Sequence, residues 1–286
     1  MESLKIVSST ASDTDRDMFP LERASEIFPN AYHLDAHCGV GSCGTYVLHL
    51  DHCHNLAVIA AALSDERIVI SDSETLKIKM TIKSAHEKTL CGIRFAKSEE
   101  HKLFSGSHDG TIKLWDLRSC CSKPAVTFEQ TKATTVRPLT SFDVSCDGRT
   151  LCAGTEQVRR DSFLLFWGAA DPSGELRGGY WDSHEDDITA VRFHPEKVDL
   201  MASGGTDGIV NVFDISRETE EDALETSINS ESSVQRLAWF SKDGADALCC
   251  LTHVRTDHNS VSVTTASYTR SVVYKKHAVF LTSLIS

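Results

Sequence analysis

The chain has 286 residues, 41% of them hydrophobic and 24% charged, and 29 Lys+Arg against 41 Asp+Glu leave a net charge of −12. That acidic balance argues against non-specific nucleic-acid binding, which needs basic side chains to displace counterions from phosphates. The longest apolar run, Leu56–Leu63, is eight residues, against about 20 for a membrane-spanning helix. The start, MESLKIVSSTASD, has no basic-then-apolar signal, so the ten cysteines read as reduced thiols. The expected setting is intracellular, cytoplasmic and/or nuclear and not secreted, with no nucleic acid and no membrane as partner. Residues 1–43 read as an N-terminal segment, mostly irregular, in which the alternating LKIVSS (4–9) is a possible closing strand.

His33, His37, Cys38, Cys43, His49, His52, Cys53 and His54 crowd one stretch. Zinc needs four such ligands converging tetrahedrally, and Cys38, Cys43, His52 and His54 are the weak candidates. Their spacing is looser than paired Cys-x2-Cys, so a loop with incidental histidines is the expected reading, and no cofactor is assigned. No Gly-rich phosphate loop is present, and no Gly-x-Ser-x-Gly elbow. Enzyme chemistry therefore has no support.

From residue 44 a repeat emerges. LFSGSHDGTIKLWDLR (103–118) and MASGGTDGIVNVFDIS (201–216) both run from small residues through Asp-Gly to an apolar alternation ending in aromatic-Asp. Asp109-Gly110 and Asp207-Gly208 mark tight hairpins, since such turns need positive φ and glycine allows it. His86 precedes Trp115 by 29 residues, and His184 precedes Phe213 by 29. Weaker copies place Ser71-Asp72 and Trp167 at the aromatic position, at intervals of 44, 52 and 46 residues. The second unit predicts strands near 90–96, 102–107, 111–116 and 125–129. A fifth copy begins at SVQRLAWFSKDGADALCCL (233–251) and never reaches aromatic-Asp. The units read as 44–82, 84–130, 131–183, 184–229 and a partial 230–251, followed by a divergent tail, 252–286. That tail is rich in β-branched residues and can add a strand or two.

Short strands punctuated by turns, with a period near 45 and a His-to-Trp-Asp pattern, predict an all-β chain. This repeat resembles the WD40 family. The resemblance implies a WD40-type β-propeller with four to five recognisable blades of four antiparallel strands, acting as a non-catalytic protein–protein interaction scaffold. The segments at 152–167, 184–195 and 207–224 are similar to a member of about seven blades. Against it this chain reads as a shortened propeller, with exposed sheet edges that favour self-association.

The family pattern also implies a hydrogen-bonded chain of His86, Ser105, Asp109 and Trp115. A second set is His184, Ser203 and Asp207, with Phe213 in the Trp place. A His near a Ser and an Asp superficially suggests a hydrolase, but recurrence in register with the repeat favours a structural role. Trp115-Asp116-Leu117-Arg118 resembles the box that substrate receptors of cullin-type ubiquitin ligases present to their adaptor. Asp116 and Arg118 are thus partner-binding candidates, although Trp-Asp recurs throughout the family. The acidic run Arg217–Glu225 reads as a solvated loop, with a docking patch as the minor alternative.

Overall fold

The computed structural model describes residues 45–119, 123–130, 136–242, 245–254, 260–269 and 272–281. Nearly all regular structure is β. The first sheet holds β1 (Val47–Cys53), β2 (Val58–Leu63), β3 (Ile68–Asp72) and β4 (Ile78–Ile82). The second holds β5 (Leu90–Phe95), β6 (Lys102–Ser107), β7 (Ile112–Asp116) and β8 (Val126–Phe128), close to the strands that the repeat predicts. The third holds β9 (Leu139–Val144), β10 (Thr150–Thr155), β11 (Leu164–Gly168) and β12 (Leu176–Tyr180). The fourth holds β13 (Ala190–Phe193), β14 (Leu200–Gly204), β15 (Ile209–Asp214) and β16 (Leu224–Asn229), with a one-turn helix, α1 (Glu220–Ala223), before β16. The fifth holds β17 (Val234–Lys242), β18 (Ala245–Val254), β19 (Ser260–Thr269) and β20 (Val272–Leu281).

All five sheets are four-stranded antiparallel meanders in sequence order. Each is one blade. The first strands stand side by side, β1 beside β5, then β9, β13 and β17, and so line a common axis. The fifth blade takes its two outer strands from the stretch beyond residue 251, which carries none of the repeat's landmarks.

Both faces of a blade pack on neighbours, so strands such as VIAAAL and LMASG read as continuous apolar or small runs rather than alternating ones. The core is accordingly divided into layers between blades. Ile68, Ile82, Ile93 and Trp115 fill the first, and Phe104, Phe142, Leu151 and Trp167 the second. Val191, Phe193, Met201 and Phe213 fill the third, and Val212, Val234, Leu237 and Leu248 the fourth. At about 1.5–3 kcal/mol for each large apolar side chain fully buried, these layers hold the blades together. Gly106, Gly154 and Gly204 share one register position, and a Cβ there would meet the next blade's Phe142 at 2.7 Å, Ile188 at 2.5 Å and Val234 at 2.6 Å.

Candidate functional site

Antiparallel pairing sorts the turns onto two faces. The starts of the inner strands and the β6–β7 and β14–β15 hairpins share one face. The ends of the inner strands and of β3, β7 and β15 share the other.

On the first face, Gly110 (φ +87°) and Gly208 (φ +77°) close the two Asp-Gly hairpins. Asp109 Oδ1 accepts the Thr111 N–H at 2.9 Å, and Asp109 Oδ2 takes His86 Nδ1 at 2.9 Å. His86 Nε2 meets Ser105 Oγ at 2.8 Å, and Trp115 Nε1 donates to the same oxygen at 2.8 Å. One assignment of protons satisfies every group: indole N–H to serine oxygen, serine O–H to His86 Nε2, and Nδ1–H to carboxylate. Burial alone would raise the Asp109 carboxyl, but hydrogen bonds from His86 and Thr111 outweigh it and hold Asp109 well below the usual carboxylate range.

The fourth blade repeats the arrangement. His184 Nδ1 lies 2.9 Å from Asp207 Oδ2, and Nε2 lies 2.7 Å from Ser203 Oγ. Phe213 holds the register position of Trp115 and has no N–H to give, so this chain is one member shorter. In the third blade Ala153 stands at the serine position, and Trp167 Nε1 instead donates to the Glu129 carbonyl at 3.1 Å, joining blades two and three. Ser105 and Ser203 are both 0% exposed. A nucleophile must be reached by its substrate, and these hydroxyls are sealed and committed within the hydrogen-bonded chains.

On the second face, Asp116 Oδ1 accepts the Arg118 backbone N–H at 3.0 Å, and both carboxylate oxygens hold the Arg118 guanidinium, at 3.0 and 2.7 Å. These bonds hold Asp116 below the usual carboxylate range. Asp72 and Asp214 cap the equivalent turns through the N–H groups of Thr75 and Ser216. The Arg118 side chain remains 63% exposed while folded back on its own turn. Glu220, inside the acidic run, accepts the N–H groups of Trp181 and Asp182, so part of that run is committed to the loop beside it.

His52 and His54 end β1 and its turn with their rings 4.2 Å apart, edge to face. Cys38 and Cys43, their prospective co-ligands, lie outside the described residues, as does the strand expected at 4–9. Among the described residues no group of three or more His, Cys, Asp or Glu is arranged to hold a metal ion. Six described cysteines are free thiols. Burial pushes Cys91 and Cys250 up to about 12, which leaves both unreactive.

A further cluster, not singled out from sequence, surrounds the axis on the second face. Asp51, Arg94, Asp143, Arg192 and Ala238 occupy equivalent register positions on the five inner strands, paired with Ala60, Phe104, Cys152, Ala202 and Cys249. Charges thus alternate around the axis until the fifth blade. Asp51 Oδ2 accepts the Phe95 N–H at 2.7 Å and Asp143 Oδ2 the Phe193 N–H at 2.9 Å, each reaching the next blade. Arg94 Nε pairs with Asp143 Oδ1 at 3.0 Å. Asp51, Arg94, Asp143 and Arg192 border a cleft of about 570 Å³ that Lys97, Glu100 and Trp239 also line. One level along the axis, burial pushes His49 down to about 4, with Arg94, Arg236 and Arg192 adding to the effect. The signal was in the sequence as the paired strings GIRF and AVRF, but only blade register turns them into one ring.

Comparison with known proteins places this geometry. Residues 77–116 and 177–214 match the family described as WD domain, G-beta repeat. An uncharacterized WD repeat-containing protein of Saccharomyces cerevisiae is 33% identical over 165 residues, covering 58% of this chain and 39% of that protein. WD repeat-containing protein GTS1 of Arabidopsis thaliana is 32% identical over 180 residues, 60% of this chain and 42% of its own. The WD repeat-containing protein 89 homolog of Dictyostelium discoideum is 26% identical over 201 residues, 70% of this chain and 50% of its own. The chain thus spans half or less of the length of these relatives. A chain in the crystal structure of a mitotic checkpoint complex shares the fold, with a TM-score of 0.66 at 19% identity over 84% of this chain and 66% of that one. No helix among the described residues is long and apolar enough to cross a membrane.

Proposed function

From WD40 repeats in a bladed all-β chain, we propose a non-catalytic protein–protein interaction scaffold working in a reducing, intracellular compartment, cytoplasmic or nuclear. Its partners are other proteins, with neither nucleic acid nor membrane among them. The observation that carries this reading is the double use of the Ser–His–Asp set. His86, Ser105 and Asp109 are sealed in one blade and His184, Ser203 and Asp207 in another, as internal ties. What remains for function is the turns that a rigid frame holds at both faces, where binding concentrates. The test is affinity purification of the full chain, followed by reconstitution of the recovered partner from pure components. A saturable complex is expected, together with no labelling of Ser105 or Ser203 by a fluorophosphonate probe. Probe labelling of either serine, or no recoverable protein partner, contradicts it.

A second reading, a cullin-type ubiquitin-ligase substrate receptor, rests on the exposed Arg118 guanidinium beside Asp116. Co-purification of the ligase adaptor that falls in Arg118→Ala supports it; equal recovery with wild type and variant removes it.

A further inference from the structure

On the first face, the hairpins spanning 107–111 in blade two and 205–209 in blade four turn at Asp-Gly. The β10–β11 hairpin of blade three is longer, 155–163, and turns at Arg159-Arg160 instead. Val158 and Asp161 exchange both backbone hydrogen bonds, at 3.0 and 3.3 Å, so the two arginines are the central residues of a tight turn. Both hold positive φ, +59° and +73°. That is the type I′ pattern, which suits Asn-Gly. It strains an arginine, whose Cβ crowds the following carbonyl oxygen. Strained backbone of this kind persists only where the surrounding structure enforces it.

Here the enforcement comes from below. Arg137 Nη1 donates to the Val158 carbonyl at 3.1 Å and the Asp161 carbonyl at 2.6 Å, and its guanidinium lies 4.0 Å from the Phe163 ring centre. Ser162 Oγ donates to the His184 carbonyl at 2.9 Å, tying the arm to blade four. Carboxylates stand below the tip: Glu156 at the base, Asp161 at 3.8 Å from Arg137 Nη2, and Asp187, which takes the Gln157 N–H at 2.7 Å. The tip itself presents Arg159 and Arg160, both exposed and in no ion pair among the described residues. The second face carries a feature of opposite sign. A cleft of about 500 Å³ at the outer rim, between blades four and five, is lined by Asp199, Asp214, Glu225 and Asp246 against one cation, Lys197. Lys197 pairs with Asp246, and Arg217 reaches Asp214 at 3.6 Å, so two cations stand against four carboxylates.

We propose that the Arg159-Arg160 turn of one copy enters the acidic rim cleft of a second copy, so that copies stack first face on second face. Each copy carries a net charge of −12 and repels another at long range. Contact therefore needs a local match of opposite charge within a Debye length, about 8 Å at physiological salt, and the arm and the cleft supply one. Guanidinium suits the cleft because its planar fork pairs two oxygens of one carboxylate at once. Arm and cleft lie on opposite faces, so the contact is heterologous and repeats from copy to copy.

The test is sedimentation velocity on the full chain. Every sample carries Leu50→Glu, which removes an exposed apolar residue of the first blade as a second route to association. With arm and cleft intact, dimers and longer stacks are expected to grow with concentration. Arg159→Asn with Arg160→Gly keeps the turn and relieves its strain, so it is expected to raise the melting temperature and yet weaken association at least tenfold. Asp199→Lys with Glu225→Lys is expected to weaken it equally. Should that pair fail to fold by thermal melt, Asp199→Lys alone takes its place, since Asp199 is exposed. Mixed one to one, at a concentration where each is a monomer, the arm variant and the cleft variant are expected to form a dimer and nothing larger. One brings only a cleft and the other only an arm. Four results overturn the proposal: a monomer at all concentrations with arm and cleft intact, undiminished association of the Asn-Gly variant, a mixture that stays monomeric, or a mixture that grows beyond the dimer.

Discussion

Ser105 and Ser203 occupy the same register position in two blades, yet they serve different numbers of partners. Ser105 Oγ joins His86 to Trp115, whereas Ser203 Oγ serves His184 alone. Ser105→Ala strands two buried groups, at about 1–3 kcal/mol each, and Ser203→Ala strands one. Urea denaturation of the two variants checks the order: Ser105→Ala is expected to be the less stable by more than about 1 kcal/mol. His49 adds a pH dependence. Its folded pKa, about 4, lies below the ordinary histidine value, so between about 4 and about 6.5 the unfolded chain binds the extra proton and stability rises with pH. His49→Gln is expected to lose less melting temperature than wild type between pH 6.5 and 5; equal losses would contradict the assignment. The hydrogen-bonded histidines were legible in the sequence because their partners sit at fixed offsets within one repeat. The Asp51–Arg94–Asp143–Arg192 ring was not, because its members lie about 45 residues apart and meet only through blade register. The Trp167 bond to a backbone carbonyl was equally hidden, since a carbonyl leaves no mark in a sequence.

The second and fourth blades were readable from Asp-Gly turns and aromatic-Asp endings, whereas the first and third showed only Ser71-Asp72 and Trp167 at the aromatic position and were legible as weaker copies. The fifth blade's outer strands were readable only as β-rich composition, because β19 and β20 carry no Asp-Gly turn, Trp or aromatic-Asp ending to set their register. Aspartates ending the third strand of a blade share one local role. Asp72, Asp116 and Asp214 all cap the turn that follows, which explains the recurrence of aspartate there without a partner. Arg118→Ala is therefore expected to leave the melting temperature within a degree or two, since exposed pairs contribute about 0–1 kcal/mol. The glycines of β6, β10 and β14 are different. A Cβ on Gly154 would lie 2.5 Å from Ile188 Cγ2 and 2.9 Å from the Ile188 carbonyl oxygen of the next blade. Gly154→Val is expected to cost at least about 1–3 kcal/mol by overpacking, measured by chemical denaturation, and a neutral result would contradict the close approach described.

Blades that contact only their neighbours make stability a sum of blade and interface contributions, as in other repeat architectures. The first blade presents Tyr46, Val47 and Leu50, all exposed, along its inner strand and the residue before it. That apolar strip favours association between copies. Light scattering is expected to show concentration-dependent growth in mass that Leu50→Glu reduces; a wild-type monomer at all concentrations would contradict this. The buried Ser–His–Asp sets tie two blades internally, and on the proposed scaffold function the faces are left to bind protein. Isothermal titration of the full chain with the partner recovered by affinity purification tests it most directly. One saturable protein-binding site, with no substrate turned over, is the predicted result. An absence of saturable binding, or heat from continuing turnover that disappears in Ser105→Ala, would contradict it.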